Sequence, residues 1–139
     1  MRYWLLKSEP SSWSWQDQLA RGDAGEGWDG VRNHQASNNM KAMEIGDLAF
    51  FYHSVNEQQI VGIVEVIELY HPDPTDKNGR FGMVTVRAVK SMTKPVTLAD
   101  IKADDRLQDM SLVRQARLSV TPVSQPQWEI ILEKGATGL

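Results

Sequence analysis

A chain of 139 residues, 41% apolar and 24% charged, has the length and composition of one globular domain, residues 1–139. It contains no cysteine, which removes disulfides, thiolate metal sites and cysteine nucleophiles and favours a cytoplasmic home. The net charge of −3 argues against a protein that lives on non-specific duplex contacts, and no run approaches the roughly 18 apolar residues of a membrane span.

The first predicted element is a strand over residues 2–7, Arg2-Tyr3-Trp4-Leu5-Leu6-Lys7. It ends in Lys7-Ser8-Glu9-Pro10, where proline has no N–H to continue a ladder and biases Glu9 toward extended geometry. A short helix follows over residues 12–20, with Ser11 or Ser12 as its cap and Trp15 and Leu19 on one face. Residues 21–30 carry four glycines and one large anchor, Trp28, and read as a loop. Residues 33–43 read as a second helix capped by Asn33, with Ala36, Met40 and Met43 on its apolar side.

Gly46-Asp47 marks a turn into a strand over Leu48–Ser54, in which Phe50 and Tyr52 share one face and Phe51 and His53 the other. A long, nearly continuous apolar strand over Gln59–Tyr70 and a returning strand over Phe81–Lys90 form a hairpin with a polar tip, where Asp73 and Asp76 read most simply as solvating groups. Thr97 and Asp100 form a capping-box pattern for a short helix through Ala103. Arg117–Val120 reads as a short strand stopped by Pro122. Ser124 and Gln127 form a second capping box, opening a helix with Trp128, Ile131 and Leu132 at core spacing, closed by Gly135; the tail to Leu139 is expected to fray. Five or six strands with short helices between them, mostly in hairpins, suggest an α+β chain built on a small, mostly antiparallel barrel.

Three segments bring polar chemistry to the rim of this core. Lys7-Ser8-Glu9 offers a cation, a hydroxyl and a carboxylate, or else a solvated strand end with a turn cap. Arg32 can make planar contacts to an anion or a flat ring, and Asn33 carries the paired donor and acceptor suited to a base edge; the alternative is a helix cap beside a surface arginine. Tyr52 and His53 suit recognition better than catalysis, because His53 and Ser54 are strand neighbours that point to opposite faces. Trp28 is either a wall for a flat ligand or a plug over the core. His34, His53 and His71 have no metal-ligand spacing, and no phosphate or dinucleotide loop occurs, so no metal or cofactor is expected.

Tyr3–Pro10, Trp28-Asp29-Gly30-Val31-Arg32-Asn33, Met43–Asp47, Phe51-Tyr52-His53-Ser54, Gly62–Val66 and Arg117–Pro122 together resemble the EVE domain family, in the family's order and over nearly the whole chain. The resemblance implies a PUA-like fold, a small barrel of five to six mostly antiparallel strands with peripheral helices, related in architecture to YTH domains. It implies a non-catalytic reader of a modified base, notably a modified cytosine, in single-stranded or flipped DNA or RNA. The pocket positions it implies are Lys7, Ser8, Glu9, Trp28, Val31, Arg32, Asn33, Tyr52, His53, Ser54, Arg117 and Ser119. On this reading Trp28 and Tyr52 wall the base, Asn33, Ser8 and Ser54 read its edge, Lys7, Arg32 and Arg117 meet phosphates, and Glu9 orients Arg32 or a ligand N–H. The alternatives are an enzyme on modified nucleotides or RNA with Glu9 or His53 as acid–base, and a small-molecule or protein-interaction module.

Overall fold

The computed structural model describes residues 2–139. Its strands are β1 (Tyr3–Ser8), β2 (Glu26–Gly27), β3 (Leu48–His53), β4 (Gln59–Pro72), β5 (Gly82–Thr97) and β6 (Val120–Val123). Its α-helices are α1 (Trp15–Ala20), α2 (His34–Lys41), α3 (Leu98–Lys102), α4 (Ser111–Arg114) and α5 (Gln125–Lys134). Among the described residues the strands form one sheet in the order β2-β5-β4-β3-β1-β6.

The sheet is mixed and open, mostly antiparallel as expected but not the closed barrel. β1 and β3 run parallel, with Leu5 opposite Phe50 and Ser8 opposite His53, while the other neighbours are antiparallel. Parallel neighbours need a long crossover, and residues 9–47, carrying α1, β2 and α2, supply it. The edges do not close on each other: β2 has two residues, and β6 contains Pro122, tolerated on an edge where no ladder N–H is required.

Local signals set most helix starts. Asn33 Oδ1 accepts the Ala36 N–H at 2.9 Å, and Thr97 with Asp100 and Ser124 with Gln127 form reciprocal capping boxes. α1 begins later than expected. The Ser12 and Trp13 N–H groups donate to the Glu9 carbonyl in a turn after Pro10, and Ser14 with Asp17 makes the capping box instead.

Alternation along β3 divides the interior in two. Phe51 joins Trp4, Leu6, Trp15, Trp28 and Met40 on one face, beneath α1, α2 and the 27–31 loop. Phe50 and Tyr52 join Ile60, Ile63, Trp128 and Ile131 on the other. Trp15 lies against β4 at Gly62, where any side chain would run into its indole. Residues 135–138 return along β5, where the Thr93 N–H donates to Thr137 Oγ1 at 2.9 Å and the Lys94 N–H to the Gly135 carbonyl at 3.0 Å.

Candidate nucleic-acid interface

The end of β1, the turn after it and the 26–30 loop enclose a cleft of about 480 Å³, within the roughly 300–1,000 Å³ range of ligand pockets. Lys7, Ser8, Glu9 and Trp28 line it with Ser12, Trp13 and residues 26–30. Ser8 reaches the rim because the β1 ladder stops there, and its hydroxyl donates to the Trp13 carbonyl at 2.5 Å, holding the turn closed. Trp28 is brought in by an extension of the β2–β5 pairing, its N–H donating to the Val84 carbonyl at 2.8 Å. Its ring stands edge-on to Phe51, centroids 5.4 Å apart, and is only 7% exposed, so it is at once wall and plug. Trp13 is half-buried, and its indole N–H donates to Gln18 Oε1 at 2.9 Å. Gln18, fully buried, passes its amide N–H on to the Val86 carbonyl at 3.1 Å. Both aromatic walls are therefore tied to β5.

Residue types alone did not single out Trp13. Its signal was positional: an aromatic residue just before the Ser14 cap, in a turn closed by Glu9 and Ser8.

Other sequence candidates lie elsewhere. Tyr52 packs in the second core, on the sheet face opposite Trp28, where burial raises its phenol pKa; it does not share the cleft. Arg32 does not reach Glu9. It donates to Asp73 Oδ2 and Thr75 Oγ1 at 3.1 and 2.9 Å and lies over the Phe81 ring. Glu9 instead accepts from the Ser11 hydroxyl at 3.0 Å.

Asp73 is the group the sequence undervalued. It is buried and accepts from the Gly30 N–H, the Thr75 N–H and hydroxyl, and Arg32, at 2.6–3.1 Å. Burial pushes its carboxyl up, but these hydrogen bonds together outweigh it and bring the pKa down to about 2. The hairpin tip thereby clasps the loop that carries Trp28.

Val31 is buried in the Trp28 core. His53 lies beneath the cleft turn: its Nε2 accepts the Trp15 N–H at 3.0 Å, so the neutral ring carries its proton on Nδ1, 3.6 Å from Glu57. Ser54 adjoins the cleft through its backbone, the N–H donating to the Ser8 carbonyl at 2.9 Å. The Ser119 carbonyl accepts the Lys7 N–H at 2.9 Å.

Asn33 and Arg117 line a second cleft of about 330 Å³ with Gln35, Gln115, Ala116 and Leu118. The two clefts meet at Lys7, whose Nζ donates to the Ala116 carbonyl at 2.7 Å. Partial burial lowers the Lys7 pKa, and among the described residues no carboxylate pairs with Lys7 or Arg117. The cation nearest the aromatic cleft is therefore free to meet an anion. Among the described residues there is no cluster of three metal-ligating side chains and no helix long and apolar enough to cross a membrane.

A model of the EVE domain matches residues 2–134. Human thymocyte nuclear protein 1 is 32% identical over 162 residues, covering 94% of this chain and 72% of its own length. Its crystal structure in complex with 5-methylcytosine containing DNA superposes with a TM-score of 0.91 over 100% of both chains. A crystal structure of a protein from Agrobacterium tumefaciens, 50% identical, superposes with a TM-score of 0.96 over 99% of this chain and 94% of its own. The YTH domain of Zygosaccharomyces rouxii MRB1, in complex with N6-methyladenosine RNA, is 15% identical with a TM-score of 0.59 over 96% of this chain and 86% of its own, a likeness of fold.

Proposed function

This chain belongs to the EVE domain family, and from that membership we propose that it is a non-catalytic reader of a modified nucleobase, a modified cytosine of single-stranded or flipped DNA or RNA. The observation that carries the reading is the cleft in which Trp13 and Trp28 stand with Lys7 and Ser8. The complex of human thymocyte nuclear protein 1 with 5-methylcytosine containing DNA supports it from outside the chain.

A flat base entering the cleft gains stacking on the indoles, worth about 1–3 kcal/mol per base. That gain offsets the few kcal/mol needed to take the base out of a duplex stack. Gln18 and the Asp73 clasp hold the indoles before the ligand arrives, which limits the ordering cost of binding. Ser8 keeps lone pairs for a ligand N–H while its own proton points at the Trp13 carbonyl, and the exposed Glu9 carboxylate adds a further acceptor. Lys7 takes the phosphate. The acid–base alternative has less to stand on, since His53 Nε2 is occupied by the Trp15 N–H.

Titration with matched single-stranded oligonucleotides, with and without one 5-methylcytosine, tests the reading. Tighter binding of the methylated strand, lost in Trp13→Ala, is expected. Equal weak binding of both strands, unchanged in that variant, would overturn it.

A further inference from the structure

We infer that the second cleft, between the start of α2 and the 115–118 segment, is a subsite for the base next to the modified one. This rests on the reading that the Trp28 cleft holds a nucleobase.

The chemistry of the second cleft is that of a base edge. Gln35 and Gln115 come from segments 80 residues apart and face each other across it, each amide donating to the other's carbonyl oxygen at 3.4 Å. Such a reciprocal amide pair is the same donor–acceptor couple that a base presents along its edge. At 3.4 Å, and with both side chains exposed, the pair is long and competes with water, so it opens at little cost. Either amide then offers a donor and an acceptor side by side.

Asn33 adds a fixed donor. Its Oδ1 is held by the Ala36 N–H at 2.9 Å, which sets the plane of the amide and leaves its NH2 group for the cleft. Arg117, exposed and unpaired among the described residues, brings a flat guanidinium that can stack on a ring. Buried Leu118 contributes the apolar side.

The Lys7–Ala116 hydrogen bond at 2.7 Å is where the two clefts join, with Lys7 lining one and Ala116 the other. A base on each side puts the phosphodiester that links them at the Lys7 ammonium. Two of the three ammonium hydrogens remain available after Ala116 has taken one.

Three probes test the subsite on the full chain: a single-stranded DNA trinucleotide with central 5-methylcytosine, the same trinucleotide with abasic flanking sugars, and 5-methyl-2′-deoxycytidine monophosphate. Abasic flanks keep the phosphates and remove the bases, so they separate base contacts from charge. The flanked trinucleotide is expected to bind roughly tenfold more tightly than its abasic counterpart, the scale of one amide–base pair. In the double variant Gln35→Ala/Gln115→Ala this ratio is expected to fall several-fold, leaving only what Asn33 and Arg117 contribute, with an unchanged melting midpoint showing that the fold persists. Equal affinity for flanked and abasic probes, or a ratio that survives the double variant, would overturn the subsite and leave the modified-base reading standing. No binding of any probe would overturn both.

Discussion

Arg32 Nη1 donates to Asp73 Oδ2 at 3.1 Å, and the same oxygen accepts the Gly30 N–H at 2.8 Å. An arginine that sequence offers to a phosphate is thus committed to holding the Trp28 loop against the hairpin tip. Asp73→Asn removes the charge at the centre of this clasp. It is expected to lower unfolding stability by roughly 1.5–3 kcal/mol, measured by urea denaturation. The pH dependence follows from the lowered carboxyl. Its folded pKa of about 2 lies below the ordinary 3.8, so its stabilisation is present above that ordinary value and is lost as pH falls toward about 2. The wild-type curve should decline through this window more steeply than that of Asp73→Asn.

The two aromatic walls should separate binding from folding. Trp28 is packed on Phe51 in the core, so Trp28→Ala is expected to cost about 3–5 kcal/mol of stability. Trp13 is half-buried and holds Gln18 by one hydrogen bond. Trp13→Ala should cost less stability yet remove about 1–3 kcal/mol of affinity for a methylated oligonucleotide. Calorimetric binding and thermal melts on the same samples check both.

Lys7 makes a distinct electrostatic prediction. Its ammonium has one neutral partner, the Ala116 carbonyl, at 2.7 Å. Lys7→Gln should weaken binding of all strands alike and reduce the slope of log K against log salt by roughly 0.7, the value for one phosphate on a single strand. A variant with the wild-type slope would place the phosphate elsewhere.

Gly62 tests how Trp15 is seated against β4. A methyl group there meets the Trp15 indole, whose N–H donates to Ser91 Oγ at 2.9 Å, while the Trp15 backbone N–H donates to His53 Nε2 at 3.0 Å. Gly62→Ala is expected to destabilise by about 1–3 kcal/mol, with a changed near-ultraviolet circular dichroism spectrum as Trp15 is displaced.

What sequence made legible was local. The capping pairs Thr97–Asp100 and Ser124–Gln127 lie three residues apart, Asn33 sits directly before α2, and the division of Phe51 from Phe50 and Tyr52 follows from strand alternation. What stayed hidden was carried by distance along the chain. Asp73 looks like a solvated loop residue until Gly30 and Arg32, more than 40 positions away, converge on it. Tyr52 looks like a second wall for the base beside Trp28 until the pairing of β3 sends it to the opposite face. The parallel partnership of β1 with β3 depends on where a crossover of nearly 40 residues packs, which no local pattern encodes.

If a modified base enters between Trp13 and Trp28, the five indole N–H resonances of an ¹⁵N-labelled chain will register it. Trp128 lies in the opposite core, stacked on Phe50 with centroids 3.9 Å apart, and serves as an internal control. On addition of a 5-methylcytosine oligonucleotide the Trp13 and Trp28 signals should shift and the Trp128 signal should not, with smaller changes for the unmethylated strand. Unmoved Trp13 and Trp28 signals in a sample where the oligonucleotide is bound would show that no base sits between these indoles.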